Sequence, residues 1–220
     1  MDYPNYATYN KLYARYVYKR PVSELVDHAG DLDGKFVVDL CGGEGRLATH
    51  VTSRFRAIVK LVDESPCMLP NSEDLPHGVE RFTSTVFSFL ADCADNALDV
   101  VFCRQAINYW FDNSTIRLLA KKMKSGGKFI FNTFMYKPPE KPQVKEYLYV
   151  SDEGTLNYVE ISWRVGETIH HVQICEGMEP HSTCFRQIDM DQMVNTLRKN
   201  GLEPKIYPDS KTLIYACTKE

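Results

Sequence analysis

The 220-residue chain lacks paired cysteines, long apolar runs and an excess of basic charge. Its seven cysteines form no C-x-x-C pair, which argues against a disulfide framework and favours reduced thiols in the cytoplasm. No stretch approaches the roughly 18 apolar residues of a transmembrane helix, and the polar residues 1–18 hold no signal-peptide core. We therefore expect a cytoplasmic protein that has no membrane partner.

The charge balance and two missing motifs exclude several classes of function. A net charge of −3 and an isoelectric point near 6.1 create no global field that would attract a phosphate backbone, so we expect no nucleic-acid partner. The chain contains no G-x-S-x-G nucleophile elbow. His170, His171 and His181 do not follow a recognised metal-ligand spacing, so we expect no metal ion. The expected partner is a small-molecule substrate, bound by a monomer or a homodimer.

Strand and helix patterns alternate through residue 134. The runs with strand character are 35–40, 57–62, 79–85, 97–103 and 128–134, and the runs with helical character are 9–29, 45–55 and 113–123. Alternation of this kind predicts a parallel sheet that helices cover on both faces. The expected fold class is therefore α/β.

The pattern changes at a proline-rich segment, residues 137–142. Short turns separate the β-type runs that follow, which predicts an antiparallel insertion. These runs are 146–150, 156–164 and 168–175, and two closing strands are expected at 204–207 and 212–217. Between the insertion and the closing strands, residues 189–199 predict a helix with Asp189 as its N-cap.

The residues after the first predicted strand carry the clearest signal for a ligand. Gly42, Gly43 and Gly45 would let the backbone turn sharply and approach a ligand at the start of a helix. Asp63 follows Asp39 by 63 − 39 = 24 residues, close to the spacing at which an acid receives ribose hydroxyls. The glycines alone would suit any α/β turn, but with Asp63 a nucleotide-like ligand is the better interpretation. NAD or FAD is disfavoured because the strict G-x-G-x-x-G pattern is absent.

Four segments in this order resemble the motifs of class I S-adenosylmethionine (SAM)-dependent methyltransferases. They are the turn at 37–45, the acidic segment at 63–69, the fourth-strand segment at 98–110 and the Gly-Gly turn at 124–130. The resemblance implies SAM as cofactor and a Rossmann-like fold with a mostly parallel, seven-stranded sheet flanked by helices. It also implies one domain, residues 1–220, with a helical lid at 1–30 and an antiparallel cap at 140–185. The cap is loosely similar to that of nucleotide-aminosugar and glycine-type N-methyltransferases.

The same resemblance implies which residues bind the cofactor. These residues are Tyr9, Tyr13, Arg20, Asp39, Cys41, Gly43, Gly45, Asp63, Glu64, Met68, Thr85, Val86 and Arg104. The glycine turn would lie against the methionine half of SAM, Asp63 would hold the ribose, and Glu64 and Met68 would border the adenine. Cys41 replaces the usual first glycine of the family. The acid that commonly follows the third strand has no equivalent, because residues 84–86 stand in its place.

The N-terminal helix pattern carries a tyrosine stripe. Tyr9, Tyr13 and Tyr16 recur at i, i+4 and i+7, so they would share one helical face. Such a stripe is equally consistent with burial in the core. In small-molecule methyltransferases a Tyr-x-x-x-Tyr helix often closes over SAM. The resemblance therefore implies a lid in which Tyr9 and Tyr13 contact the cofactor and Arg20 pairs with its carboxylate.

The acceptor side has fewer signals. The substrate-binding candidates are Asn108, Tyr109 and Trp163. Tyr13, His170 and His171 are the candidates for the group that removes a proton from the acceptor. Alternation along a strand places His170 and His171 on opposite faces, so both cannot face one cavity. The sequence does not choose among the three.

These assignments predict an enzyme that transfers the sulfonium methyl group of SAM to an amine or hydroxyl of a small molecule. One alternative is a reaction that releases methylthioadenosine, by aminocarboxypropyl transfer or by cyclisation of SAM. A second is a non-catalytic module that serves as a partner surface. Methylation of a nucleic-acid base is a weaker alternative, because residues 103–106 replace the Asn/Asp-Pro-Pro-aromatic motif of those enzymes.

Overall fold

The computed structural model describes residues 22–134, 139–151, 154–208 and 212–220. Within these, the chain divides into two compact units. The first unit contains residues 22–134 and the described part of 189–220, and the second contains the described part of 139–188. None of the helices in the described residues is long and apolar enough to cross a membrane.

The first unit is built on a seven-stranded sheet. Its strands are β1 (Phe36–Leu40), β2 (Ile58–Asp63), β3 (Val79–Thr83), β4 (Leu98–Cys103), β5 (Met123–Phe134), β10 (Leu202–Pro208) and β11 (Thr212–Lys219). They lie in the order β10-β11-β5-β4-β1-β2-β3. Strands β3, β2, β1, β4 and β5 pair in parallel, whereas β11 is antiparallel to both β5 and β10. The predicted α/β fold with a mostly parallel, seven-stranded sheet is confirmed.

Six α-helices accompany this sheet in the described residues. They are α1 (Ser23–Val26), α2 (Arg46–Arg54), α3 (Val86–Asp92), α4 (Ile107–Trp110), α5 (Asn113–Lys122) and α6 (Met190–Lys199). Helix α2 turns Leu47, Ala48 and Val51 into a core that also holds Val37 of β1. Residues 37–40 are all buried, as expected for a central parallel strand covered on both faces.

Local capping explains why α5 and α6 begin where they do. The Asp112 carboxylate accepts hydrogen bonds from the backbone N–H groups of Ser114 and Thr115 at 2.8 and 3.0 Å. Asp189 caps α6 in the same way through Asp191 and Gln192. Such caps satisfy N–H groups that have no partner inside the helix. The predicted N-cap at Asp189 is therefore confirmed.

The alternation of strands and helices is less regular than the sequence predicts. Between β2 and β3 the only helical element is a 3₁₀ turn at Ser72–Asp74, a segment that the structure describes throughout. Helix α3 follows β3 although no helix was predicted there. Strand β5 begins at Met123, five residues before the predicted start, and its pairing with β4 shifts register between Leu98 and Val100. Of the predicted helix 9–29, residues 9–21 lie outside the described residues.

The second unit is an antiparallel sheet of four strands in the order β6-β7-β8-β9. The strands are β6 (Gln143–Ser151), β7 (Gly154–Val165), β8 (Thr168–Cys175) and β9 (His181–Arg186). The predicted antiparallel insertion is thus found, with one strand more than the three runs expected. Strand β9 was not predicted, because its six residues contain only one large apolar side chain, Phe185.

Candidate active site

The turn between β1 and α2 places several backbone groups in unusual conformations. Cys41, Gly43 and Gly45 have φ values of 54°, 53° and 72°, in the left-handed region that glycine adopts at little cost. Gly42 is required for a different reason. A Cβ atom there would lie 2.4 Å from Cδ1 of Leu61 and 2.7 Å from Cγ of Asp39. The turn is therefore packed directly against β1 and β2, and Gly42, which was not among the predicted site residues, is essential to it.

The carboxylate of Asp63 connects this turn to the end of β2. Its Oδ2 accepts a hydrogen bond from the backbone N–H of Gly43, and its Oδ1 accepts one from the backbone N–H of Ser65, both at 3.0 Å. Burial raises the pKa of Asp63, and the two N–H groups oppose this shift. Each oxygen keeps a further lone pair, so the carboxylate can accept hydroxyl hydrogen bonds while it holds the turn.

Asp39 has the most deeply buried carboxylate of this turn. It is 1% exposed, and its carboxylate makes no well-formed hydrogen bond to the residues that the structure describes. Burial raises the pKa of Asp39 to about 7, and the Ala48 N–H and the Arg104 guanidinium offset only part of that effect. A buried carboxylate without strong partners is costly, which makes Asp39 a candidate ligand-binding group.

The Cys41 thiol faces the thiol of Cys103 at the end of β4. A hydrogen bond to Cys103 and burial raise the pKa of Cys41 well above its usual value. The Cys41 side chain therefore remains a neutral thiol and packs as a small group in this turn.

The remaining predicted cofactor residues of the first unit are in different environments. Glu64 is exposed, whereas Met68 is 6% exposed. The Thr85 hydroxyl accepts a hydrogen bond from the Ser88 N–H and caps α3, and Val86 is buried as the first residue of that helix. The backbone N–H of Ser84 donates to the Asp63 carbonyl at 3.0 Å, which fixes the 84–86 segment beside β2.

Polar side chains collect where β4 and β5 end. The backbone N–H of Gln105, at φ 60°, donates to Oδ1 of Asn132 at 2.8 Å. Thr133 Oγ1 donates to Asn108 Oδ1 at 3.0 Å, which ties α4 to β5. Tyr109 is exposed on α4. In parallel sheets, ligands bind at the carboxyl ends of the strands where the strand order reverses, here at β1 between β2 and β4.

The two adjacent histidines of the second unit lie on opposite faces of its sheet, as alternation predicts. His171 pairs with Ser162 across β7 and β8, and its Nε2 lies 3.5 Å from Oε2 of Glu160. His170 pairs with Trp163, and the two rings stack at a centroid distance of 5.0 Å and an interplanar angle of 8°. His171 therefore has an acidic neighbour, whereas His170 has an aromatic one.

The face of the sheet that carries His171 is both polar and partly buried. Burial raises the pKa of Glu160, but the nearby His171 imidazole more than offsets this, so the pKa lies below its usual value. Burial, with a smaller contribution from His171, lowers the pKa of His181 on β9. On the same face Gln173 donates to the Tyr158 hydroxyl at 2.6 Å. This arrangement can hold a proton-accepting imidazole beside a carboxylate that orients it.

Three predicted contributors to the site, Tyr9, Tyr13 and Arg20, lie outside the described residues.

Comparison with known proteins finds a family match within the first unit. Residues 38–131 match a family model described as a methyltransferase domain. The glycine turn and the buried carboxylate of Asp39 both lie within the matched range. No curated protein sequence matches the chain significantly.

Solved structures support the same methyltransferase fold. The SAM-bound amino pentose methyltransferase CalS10 from Micromonospora echinaspora has a TM-score of 0.76 and 16% identity, over 96% of this chain and 97% of its own. The sugar N-methyltransferase KedS8 from Streptoalloteichus sp. has a TM-score of 0.66 and 16% identity, over 90% and 85%. A SAM-dependent methyltransferase from Clostridium acetobutylicum has a TM-score of 0.71 and 15% identity, over 97% and 98%. At these identities the likeness is one of fold.

Proposed function

We propose that this protein transfers the methyl group of SAM to an amine or hydroxyl of a small, polar molecule. The observation that carries the proposal is the Asp63 carboxylate, which holds the Gly43 turn at the carboxyl edge of β1 and β2. An acid at this position, next to a glycine turn and a helix N-terminus, suits a nucleoside with free ribose hydroxyls. The names of CalS10 and KedS8 as sugar methyltransferases are consistent with a sugar amine as the acceptor.

The residues around β1 have separate tasks in this proposal. Asp63 accepts the ribose hydroxyls with the lone pairs that its backbone hydrogen bonds leave open. Asp39 provides a buried negative charge for the cationic end of the cofactor. When no cofactor is bound, the nearby Arg104 guanidinium offsets part of that charge. Gly42 and Gly45 let the turn pack closely against Leu61, because a side chain at either position would clash with it.

For methyl transfer the protein must mainly align the acceptor with the methyl group and remove a proton from the acceptor. SAM supplies an already activated methyl group, and positioning of the two reactants can lower the barrier by roughly 7–11 kcal/mol. An amine or hydroxyl acceptor must also lose a proton. We assign that step to His171, because Glu160 can orient and stabilise its imidazolium form. His170, stacked on Trp163, lies on the opposite face of the sheet and so would not contact the same acceptor.

The domain assignment follows the same proposal. Residues 1–220 would act as one functional domain, with the segment at 1–30 as a lid over SAM and residues 140–185 as the acceptor cap. In the lid, Tyr9 and Tyr13 would contact the cofactor and Arg20 its carboxylate. Glu64, Met68, Thr85 and Val86 would border the adenine. These roles of the lid, the cap and the adenine-bordering residues are the ones that the sequence resemblance implies.

Mass spectrometry of the adenosine product tests the proposed reaction. The purified protein is incubated with SAM alone and then with pools of amines, amino acids and sugars. We expect S-adenosylhomocysteine (AdoHcy), together with an acceptor whose mass has increased by one CH₂ group. Asp63→Asn, impaired in cofactor binding, serves as the inactive control. Methylthioadenosine as the only product would overturn the proposal and favour transfer of the aminocarboxypropyl group or cyclisation of SAM.

A further inference from the structure

A buried amide group at the end of β5 has a hydrogen-bond donor with no partner. Asn132 is 1% exposed, and its Nδ2 makes no hydrogen bond to the residues that the structure describes. Nε2 of Gln105, which follows β4, is buried and unpaired in the same way. Buried polar groups of native proteins are nearly always hydrogen-bonded, so two unpaired donors at one edge of a sheet call for an external acceptor.

The orientation of the Asn132 amide is determined by its other contact. Oδ1 accepts the backbone N–H of Gln105 at 2.8 Å. Exchanging the oxygen and nitrogen of the amide would place two donors against each other, so Nδ2 is the end that points away from this bond. Gln105 has a φ of 60°, which a non-glycine residue adopts only when its surroundings require it. The hydrogen bond therefore holds the Asn132 side chain and the Gln105 backbone in place.

The position of Asn132 separates it from the cofactor turn. Asn132 follows Phe131, which pairs with Cys103, the last residue of β4. Strand β5 lies two places from β1 and three from β2 in the sheet. Neighbouring strands are about 4.8 Å apart, so Asn132 is displaced sideways by about 10 Å from the strand of Asp39 and about 14 Å from that of Asp63. A ligand that reaches Asn132 extends beyond the nucleoside end of the site.

We propose that Asn132 Nδ2 and Gln105 Nε2 donate hydrogen bonds to oxygen atoms of the methyl acceptor. The acceptor then carries hydroxyl or carbonyl oxygens beside the group that is methylated, as an aminated sugar ring does. The inference rests on the proposed function and adds the chemical class of the acceptor. A site built to donate to such oxygens rejects an analogue that lacks them, because the buried donors would remain unpaired.

The preference between two amines with the same ring size tests this assignment. Glucosamine carries hydroxyl groups on its ring, and cyclohexylamine has none. Calorimetric titration of each into the protein saturated with AdoHcy gives their dissociation constants. We expect glucosamine to bind at least about tenfold more tightly than cyclohexylamine, the effect of one satisfied buried donor. Equal affinity, or no binding of glucosamine, would overturn the inference.

Two variants show whether the amides cause this preference. Asn132→Asp keeps the oxygen that accepts from Gln105 N–H and, when ionised at about pH 8, removes the donor. Gln105→Asn shortens the second donor with a residue that tolerates positive φ. Each variant should reduce the preference for glucosamine by about tenfold and leave the AdoHcy dissociation constant within about twofold. An unchanged preference would mean that the two amides serve only the fold. A loss of AdoHcy affinity without a change in preference would mean that they bind the cofactor.

The same titrations separate this inference from the proposed function. If the wild-type protein does not bind AdoHcy, the proposed methyl transfer fails. If it binds AdoHcy and forms it from SAM but does not distinguish the two rings, only the role of Asn132 and Gln105 fails.

Discussion

Asp63 at the end of β2 accepts a hydrogen bond from the backbone N–H of Gly43, at 3.0 Å, and so joins two motifs that are far apart in the sequence. The same carboxylate accepts the N–H of Ser65, which turns the chain away after β2. One side chain thus shapes the glycine turn and its own loop. Loss of Asp63 should therefore affect both the conformation of the turn and the binding of a nucleoside.

Replacing Asp63 with Asn should weaken cofactor binding strongly. The amide can accept only one of the two backbone N–H groups and turns its own NH₂ toward the other. We expect AdoHcy to bind at least about tenfold more weakly and the free energy of unfolding to fall by about 1–3 kcal/mol. Calorimetric titration and urea denaturation measure the two effects.

Asp99 provides the matched control at the opposite edge of the sheet. Its carboxylate accepts a hydrogen bond from the backbone N–H of Phe36 at 2.9 Å and forms an ion pair with Lys124. Asp99→Asn should lower the stability but leave the AdoHcy dissociation constant unchanged. If the two variants lose the same affinity for AdoHcy, Asp63 has no specific role in the cofactor site.

The raised pKa of Asp39 predicts a pH dependence of stability. Because its pKa is about 7 in the folded state and 3.8 in an ordinary exposed aspartate, the native state binds more protons than the unfolded state between about pH 4 and 7. The free energy of unfolding should therefore fall as the pH rises through this window and level off above it. Asp39→Asn should remove this slope and stabilise the protein at about pH 8 by on the order of 4 kcal/mol. Urea denaturation from about pH 5 to 8 compares the two proteins, and parallel curves would contradict the assignment.

The same substitution should have the opposite effect on the cofactor. Asn at position 39 removes the buried negative charge that faces the cation, so SAM should bind more weakly although the protein is more stable. A calorimetric titration of SAM at about pH 8 measures this loss. Tighter binding of SAM by the variant would exclude a role for Asp39 as its counter-charge.

Substitution of Gly42 should show a steric effect separate from any effect of backbone conformation. The new methyl group of Gly42→Ala would meet Leu61 and Asp39 at less than 3 Å, so we expect a loss of roughly 2–3 kcal/mol in unfolding free energy. Gly166 has a φ of 59° but open space around it, so Gly166→Ala should cost only about 1 kcal/mol. Only the first variant should also weaken AdoHcy binding. Equal losses would mean that the turn after β1 can adapt to a side chain.

Two histidine variants test the assignment of the base. His171→Gln should lower kcat for the acceptor found by mass spectrometry by about a hundredfold, because the proton acceptor beside Glu160 is removed. Added imidazole should restore part of this rate, which a purely structural defect would not allow. His170→Gln should change kcat much less, since its ring stacks on Trp163. A larger loss of kcat in the His170 variant would reverse the assignment.

Local patterns in the sequence were sufficient for much of the fold. The apolar runs at 35–40 and 97–103 predict strands that the structure places beside each other in the sheet centre. Asp189 was identified as an N-cap because the signal lies within three residues. Helix α3 was missed because Thr85, its cap, also fits the end of a strand.

The candidate site was only partly visible in the sequence. The spacing of Asp63 pointed to the ribose end, but nothing in the sequence showed that its carboxylate binds the Gly43 N–H. Asn132 gave no signal, since an asparagine within a strand has no local pattern. Its unpaired amide and its bond to Gln105 arise only when β4 and β5 pair.

The sequence by itself determined the parallel strands β1 to β5, the glycine turn with its acid, and the alternation that separates His170 from His171. These properties depend on neighbours a few residues apart, on backbone conformation and on the two-residue period of a strand. Only the tertiary structure decided that Asp39 is buried without strong partners, that Gly42 touches Leu61, and that His171 meets Glu160. Burial and contact depend on which strands pair, and parallel pairing joins residues that are far apart in the chain.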